Sequence, residues 1–232
     1  MLQITDLHVY YGDSHVLQGM SLEVRSGEIV CLLGRNGAGK TTTMRGISGL
    51  NAPARGKVVF NGTDITGRPV YENVRNGLAY VPEDRRIFSG LTVDENLEVA
   101  MLPPKRGGAA WSKDRVYDVF SLLAPLRHRK GGNLSGGEQQ MLAIARALVS
   151  NPIMLLLDEP CEGLAPVIVE DLGGIIKGLS RELPILMTEQ NARFALSICD
   201  RGYVIEKGRP AYEGSREDLL MSEEVQSRYL SV

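Results

Sequence analysis

The sequence predicts an α/β fold, a strand-rich first third followed by a helical insert and a return to alternating strands and helices. Three observations carry it. Apolar residues alternate over Leu2 to Tyr11 and Val16 to Arg25, the period of half-buried strands. A glycine-rich stretch, Gly34 to Gly39, separates the apolar run Ile29 to Leu33 from a helical pattern. Two more short apolar runs, Ile153 to Leu157 and Pro184 to Thr188, read as strands buried on both faces.

Taken in order, the Arg25-Ser26-Gly27 turn precedes the Ile29 to Leu33 strand, and Lys40 to Leu50 reads as a short helix closed near Gly49. Gly56 to Gly62 and Leu78 to Val81 are further strands. Thr92 to Val149 reads as mainly helical, interrupted by the loop PPKRGGAA at Pro103 to Ala110, and defines an inserted helical subdomain of about residues 92–150 in a single domain. A helix is expected from Pro166, another from Asn191, a strand over Gly202 to Glu206, and then a polar C-terminal helix.

Composition narrows the function classes. The 232 residues are 43% hydrophobic and carry a net charge of −2, so no basic field attracts nucleic acid. The three cysteines, Cys31, Cys161 and Cys199, are widely spaced and odd in number, which supports neither a disulfide framework nor a zinc site. No 18-residue apolar run occurs, so the chain is not expected to cross a membrane itself.

GRNGAGKT, Gly34 to Thr41, matches G-x-x-x-x-G-K-[ST] between a strand and a helix. In such a loop the backbone N–H groups of Gly34, Arg35, Asn36, Gly37, Ala38 and Gly39 can face phosphate oxygens, at the positive end of the following helix. Lys40 would reach the β- and γ-phosphates of a nucleotide, and the Thr41 hydroxyl would hold Mg2+, with Thr42 next to it. The plainer reading, a glycine-rich turn, leaves the Lys-Thr pair without a purpose. The Ile153 to Leu157 run delivers Asp158 and Glu159 at its carboxyl end. Asp158 would hold Mg2+ through water and Glu159 would polarise the attacking water. NLSGGEQQ, Asn133 to Gln140, opens another helix, where Ser135, Gly136, Gly137 and Glu138 offer a hydroxyl and free N–H groups to a second anion. A Ser135 cap with Glu138 as capping-box partner describes the same residues.

With these motifs in place, the chain resembles an ABC transporter ATP-binding subunit along essentially its whole length, LSGGEQ at Leu134 to Gln139 being that family's signature. The resemblance implies a RecA-like P-loop fold with an antiparallel β subdomain and an inserted helical subdomain. It also implies a head-to-tail dimer in which ATP on Gly34 to Thr42 of one subunit is clamped by Ser135 to Glu138 of the other. Tyr11 falls where the family stacks an aromatic on adenine, with Val16 behind the ring. Glu83, in AYVPEDRRIF, replaces the family's usual glutamine and could still ligand Mg2+; Arg85 to Phe88 read equally as solvated helix-entry residues, and the resemblance favours a membrane-subunit groove.

One departure stands out in LMTEQN. Gln190 occupies the position where the family usually has a phosphate-contacting histidine, and His8, His15 and His128 read as a strand residue, a turn residue and part of a surface run. A glutamine amide can donate to a phosphate oxygen but carries no charge; an uncompensated donor loss would cost about 2–4 kcal/mol in the transition state. Ala165 replaces the usual aspartate after CEGL. VPE, GLAP, EQNARFAL and the ending SEEVQSRYLSV resemble the LivF-type subgroup, the ATP-binding subunits of branched-chain amino-acid importers. That resemblance implies a LivG-type second ATP-binding subunit, two membrane permeases, a substrate-binding protein, and a peripheral place on the cytoplasmic face of the inner membrane. An importer of urea or short-chain amides, and a non-transport ABC ATPase, are the alternatives.

Overall fold

The computed structural model describes residues 1–104 and 110–225. Most of the expected PPKRGGAA loop and the end of SEEVQSRYLSV therefore lie outside the described residues. The chain opens with β1 (Leu2–Tyr11) and β2 (Ser14–Val24), then β3 (Ile29–Leu33), α1 (Lys40–Ser48), β4 (Arg55–Phe60), β5 (Thr63–Asp64), α2 (Val70–Arg75) and β6 (Leu78–Val81). The helical stretch holds α3 (Val93–Glu98), α4 (Lys113–Val119) and α5 (Gly136–Leu148). It is followed by β7 (Met154–Asp158), α6 (Pro166–Leu179), β8 (Ile185–Glu189), α7 (Ala192–Ile198), β9 (Arg201–Glu206), β10 (Arg209–Ser215) and α8 (Arg216–Met221).

The strands form an antiparallel sheet in the order β2-β1-β4-β5 and a six-stranded sheet in the order β10-β9-β3-β8-β7-β6. In the larger sheet β9, β3, β8, β7 and β6 run parallel, and only β10 is antiparallel. Its central strands are buried on both faces, which explains why they read as continuous apolar runs. Alternate residues go to different cores. Val30, Leu32, Met154, Leu156 and Leu186 join the core under the antiparallel sheet with Met44 and Ile47 of α1. Ile29, Cys31, Leu33, Leu155, Leu157 and Met187 face the core shared with α5, α6 and α7.

Helix starts follow local chemistry. Thr92, Ser135 and Ser215 each form a capping box, with Glu95, Glu138 and Asp218 respectively. Pro166 begins α6, where its missing N–H has no partner to lose.

Three sequence expectations are corrected. The stretch 92–149 is broken into the short helices α3 and α4, of 6 and 7 residues, and the 13-residue α5, with turns between them. The polar segment after β9 forms β10 before α8 begins, since Gly208 lets the chain reverse and pair Arg209 with Glu206. His15 lies in β2 opposite Tyr10, not in the turn: the reversal is made by Gly12 and Asp13. The short helix α2 had no distinct periodic signal.

Gly208 also ties the two sheets to the loop after β3. Its N–H donates to Ala38 O at 2.8 Å, and its carbonyl accepts from Gln18 N–H at 2.9 Å. Its φ is +75° and an added Cβ would stand 1.9 Å from Val16 O. Gly208→Ala should therefore destabilise the fold by at least about 1–2 kcal/mol, the cost of a left-handed residue with a Cβ, before the clash is counted. Urea unfolding of the two proteins measures this, and an unchanged midpoint would refute it.

Candidate functional site

The carboxyl ends of β3, β7 and β8 lie side by side, with Leu33 opposite Glu189 and Asp158 opposite Thr188. The loop 34–39 leaves β3 there and returns as α1. Gly34 sits against β9, where an added Cβ would be 2.6 Å from Ile205 O, and Gly39 adopts φ +114° as the chain enters the helix. Ala38 is buried with them. Arg35, Asn36 and Gly37 are exposed.

A cleft of about 420 Å³ opens over this loop, lined in part by Val16, Asn36, Lys40, Thr42, Glu83 and Glu159. Gly37, Gly39, Thr41 and Glu162 complete its wall. Lys40 is buried at 5% exposure and its Nζ donates to Gly34 O at 2.6 Å and Arg35 O at 3.4 Å. The same ammonium pairs with Glu159 Oε1 at 2.9 Å. The other carboxylate oxygen of Glu159 accepts the Gln190 backbone N–H at 3.0 Å. Burial raises the Glu159 carboxyl above its ordinary range, opposed by Lys40 and by the Gln190 N–H, while Asp158 adds to the rise.

Asp158 is held from three sides. Its Oδ1 accepts from Thr41 Oγ1 at 3.1 Å and Thr188 Oγ1 at 2.7 Å, and its Oδ2 accepts from Tyr80 OH at 2.9 Å. Burial and then the Asp158 charge push the Tyr80 phenol well above its ordinary value, so it remains a donor. An oriented carboxylate beside a threonine hydroxyl at the cleft wall is a hard oxygen set suited to Mg2+, which keeps much of its water shell. Glu83 faces Glu162; burial and then the Glu162 charge raise its carboxyl. Both carboxylates border the cleft.

Tyr11 does not line the cleft. It is 44% exposed at the end of β1. Burial raises its phenol, but hydrogen bonds led by Arg45 more than offset this and leave it lowered. Arg45 also engages Tyr80, so a chain of contacts runs from Tyr11 to Asp158. The Gln190 side chain is exposed, and the contact it brings to Glu159 comes from its backbone.

Ser135 and Gly136 are exposed, and none of Ser135, Gly136, Gly137 and Glu138 borders the cleft. The capping box is formed, with Ser135 N–H to Glu138 Oε2 at 2.6 Å and Glu138 N–H to Ser135 Oγ at 3.4 Å. Gly137 serves packing, since a Cβ there would lie 2.7 Å from Ile168, whereas Gly136 faces the Arg85 guanidinium.

Sequence reasoning missed Tyr80, Thr188, Glu162 and Glu189. Thr188 and Glu189 carried a signal, polar residues closing an apolar run, and Tyr80 none that separates it from a packing residue. Glu189 is 2% exposed, and its Oε1 accepts the Cys161 N–H at 3.2 Å. Burial and then the Glu159 charge push it up to about 8, against the pull of its hydrogen bonds to Cys161 and to the Asn191 N–H.

A second depression, of about 270 Å³, lies between β6 and α5, lined by Val81, Pro82, Arg85, Leu102 and Arg146 among others. Phe88, Val99 and Met101 are exposed at 51%, 60% and 46%. The Arg146 guanidinium stands 5.1 Å from the Phe88 ring centre. Among the described residues, no helix is long and apolar enough to cross a membrane.

The ABC transporter family model matches residues 17–162. The chain is 42% identical over 231 residues to the high-affinity branched-chain amino acid transport ATP-binding protein BraG of Pseudomonas aeruginosa, covering 99% of each. It is 38% identical over 237 residues to the lipopolysaccharide export system ATP-binding protein LptB of Haemophilus influenzae, covering 99% of this chain and 97% of that one. Among solved structures it is similar to the ADP conformation of MJ1267, an ATP-binding cassette of an ABC transporter, with a TM-score of 0.83, 26% identity and 98% and 97% of the two chains covered.

A carboxyl raised to about 8 implies a pH dependence of stability. Its folded value exceeds the ordinary 4.5, so the stability that the protonated Glu189 contributes is complete below about 4.5 and is lost as pH rises through about 8. Glu189→Gln should flatten the fall in thermal midpoint over that window; parallel pH profiles for the two proteins would contradict the assignment.

Proposed function

The chain belongs to the ABC transporter family, and from this premise we propose that it powers an importer of branched-chain amino acids. As a member of that family it is an ATPase subunit with the P-loop fold of the family's cassettes. What carries the reading of the site is one observation: directly after the 34–39 loop, Thr41 bonds to Asp158 at 3.1 Å and Lys40 pairs with Glu159 at 2.9 Å, at the ends of neighbouring strands.

In this reading the 34–39 loop and the α1 N-terminus hold the triphosphate, Thr41 and Asp158 hold Mg2+, and Glu83 borders the metal. Bound Mg2+ neutralises phosphate charge as the γ-phosphoryl is transferred to water. The three donors of the Lys40 ammonium are taken by Gly34 O, Arg35 O and Glu159 Oε1, so a phosphate oxygen has to displace one of them. As Lys40 turns to the phosphates, Glu159 is released to accept the proton of the attacking water, and Gln190 reaches the γ-phosphate with its amide. Val16, on the cleft wall, takes the adenine, and Tyr11, exposed at the end of β1 and outside the cleft, is assigned to the same base by its motif position alone. Ser135, Gly136, Gly137 and Glu138 lie outside this cleft, so they are assigned to the nucleotide of a second ATP-binding subunit, of LivG type. The capped, exposed α5 N-terminus supports that assignment.

The depression between β6 and α5, with exposed Phe88, Val99 and Met101 nearby, supports docking of the transmembrane permeases. The chain then sits peripherally on the cytoplasmic face of the inner membrane, and meets the substrate-binding protein only through the permeases. The full-length likeness to BraG supports the solute. The likeness to LptB makes lipopolysaccharide export the second reading.

Glu159→Gln should lower ATP turnover about 10²- to 10⁴-fold, the span of general-base contributions, while leaving ATP binding intact. Wild-type turnover in that variant would refute the role of Glu159. In cells lacking the chain, uptake of labelled leucine should fall and return with wild type but not with Lys40→Ala. Unchanged leucine uptake would overturn the solute; a fall in urea uptake instead would name the alternative importer, and a loss of surface lipopolysaccharide the exporter.

A further inference from the structure

Glu189 is deeply buried at the end of β8, yet it has no part in the chemistry assigned above. It accepts the Asn191 N–H from its own segment, and its other contacts cross to the neighbouring strand. Glu189 Oε1 accepts the N–H of Cys161, in the turn after β7, at 3.2 Å. The contact is answered in the other direction one residue on, where Gln190 donates its N–H to Glu159 Oε2 at 3.0 Å. Each strand end thus offers a carboxylate to the other's backbone. Beneath this pair, Thr188 Oγ1 accepts the Glu159 N–H at 2.9 Å and donates to Asp158 Oδ1 at 2.7 Å.

The residue at the centre of this lock is strained. Glu159 has φ +46°, a left-handed backbone that a non-glycine residue keeps only where its surroundings over-determine it. The bonds from Thr188 and Gln190 act on Glu159 directly, and the bond from Glu189 acts two residues downstream, where the chain leaves for α6.

We propose that Glu189 is a positioning residue for ATP hydrolysis, fixing the turn after β7 through the Cys161 N–H so that Glu159 holds its strained backbone and its aim into the cleft. The proposal rests on the reading of Glu159 as the base. Charge is not what the position needs. A carboxyl raised to about 8 is mostly protonated at neutral pH, and its carbonyl oxygen still accepts from Cys161 while adding no second anion beside Glu159. Glutamine reproduces that shape and that acceptor. Leucine fills similar space and leaves the buried Cys161 N–H unpaired.

The test compares Glu189→Gln and Glu189→Leu in the full chain, with hydrogen exchange and steady-state ATP turnover as readouts. In Glu189→Leu, amide exchange over residues 159–165 should speed up about tenfold or more while exchange in α1 stays unchanged. Its kcat should fall about 10- to 100-fold at a KM within about twofold, as misplacing a reacting group does. Glu189→Gln should keep both the exchange protection and kcat within about threefold. Unchanged protection or unchanged kcat in Glu189→Leu overturns the proposal. So does a faster exchange that extends through α1, which would make the residue a general packing element, or an equal loss in both variants, which would make the charge the essential feature. Glu159→Gln measured alongside separates the two levels: if it turns over ATP normally, the reading of Glu159 fails, while the exchange data still report whether Glu189 holds the turn.

Discussion

The parallel register of β3, β7 and β8 sets the position of every group around the cleft. Leu33 stands opposite Glu189 and Asp158 opposite Thr188, so the three strands end at one level. A slip of one residue would send alternate side chains to the opposite core and remove Asp158 from Thr41. The register is fixed by burial on both faces, since each strand divides its residues between two cores. Polar residues are confined to the ends, where the loop after β3 and the turn after β7 begin.

At those ends one buried ion pair and a small set of hydrogen bonds hold the charged groups. Lys40 and Glu159 are both largely buried and paired at 2.9 Å, so neither charge is left uncompensated in a poorly solvated place. Asp158 satisfies its oxygens with three hydroxyl groups. Such a site is poised in a particular sense. A buried ammonium next to a glycine-rich loop suits a phosphate, and moving that ammonium would change the environment of Glu159, one of three carboxylates bordering the cleft. In the proposed function, nucleotide binding and activation of Glu159 would be the same event.

Much of this was legible in the sequence because strong local chemistry and tertiary demand agree. GRNGAGKT combines glycines, a lysine and a threonine between a buried strand and a helix, and the fold uses that order as read. LLLDEP announces both burial and the acidic strand end. The fold expected from these and from the family signature is that of an ATP-binding cassette similar to this chain. What was not legible depends on contacts between distant segments. Tyr80 looks like any strand tyrosine until β6 is set beside β7, and the reciprocal lock of Glu159 and Glu189 needs the pairing of β7 with β8. Strand β10 was hidden because an exposed edge strand needs little apolar patterning, and its reversal is a two-residue turn, Lys207 and Gly208, both at positive φ. The Ser135 cap shows how one motif can answer to two descriptions, a helix start and an anion site, with only the exposure of that helix end to favour the second.

The central claim, that aligned strand ends build a metal-dependent ATP site from Thr41 and Asp158, is tested most directly by electron paramagnetic resonance. Mn2+ is titrated in place of Mg2+ into wild-type chain and Asp158→Asn in the presence of ATP. The account predicts that the variant loses at least about tenfold in Mn2+ affinity, as removal of metal-orienting groups does, while metal-free ATP binding stays equal. Equal Mn2+ affinity in the two proteins would contradict it.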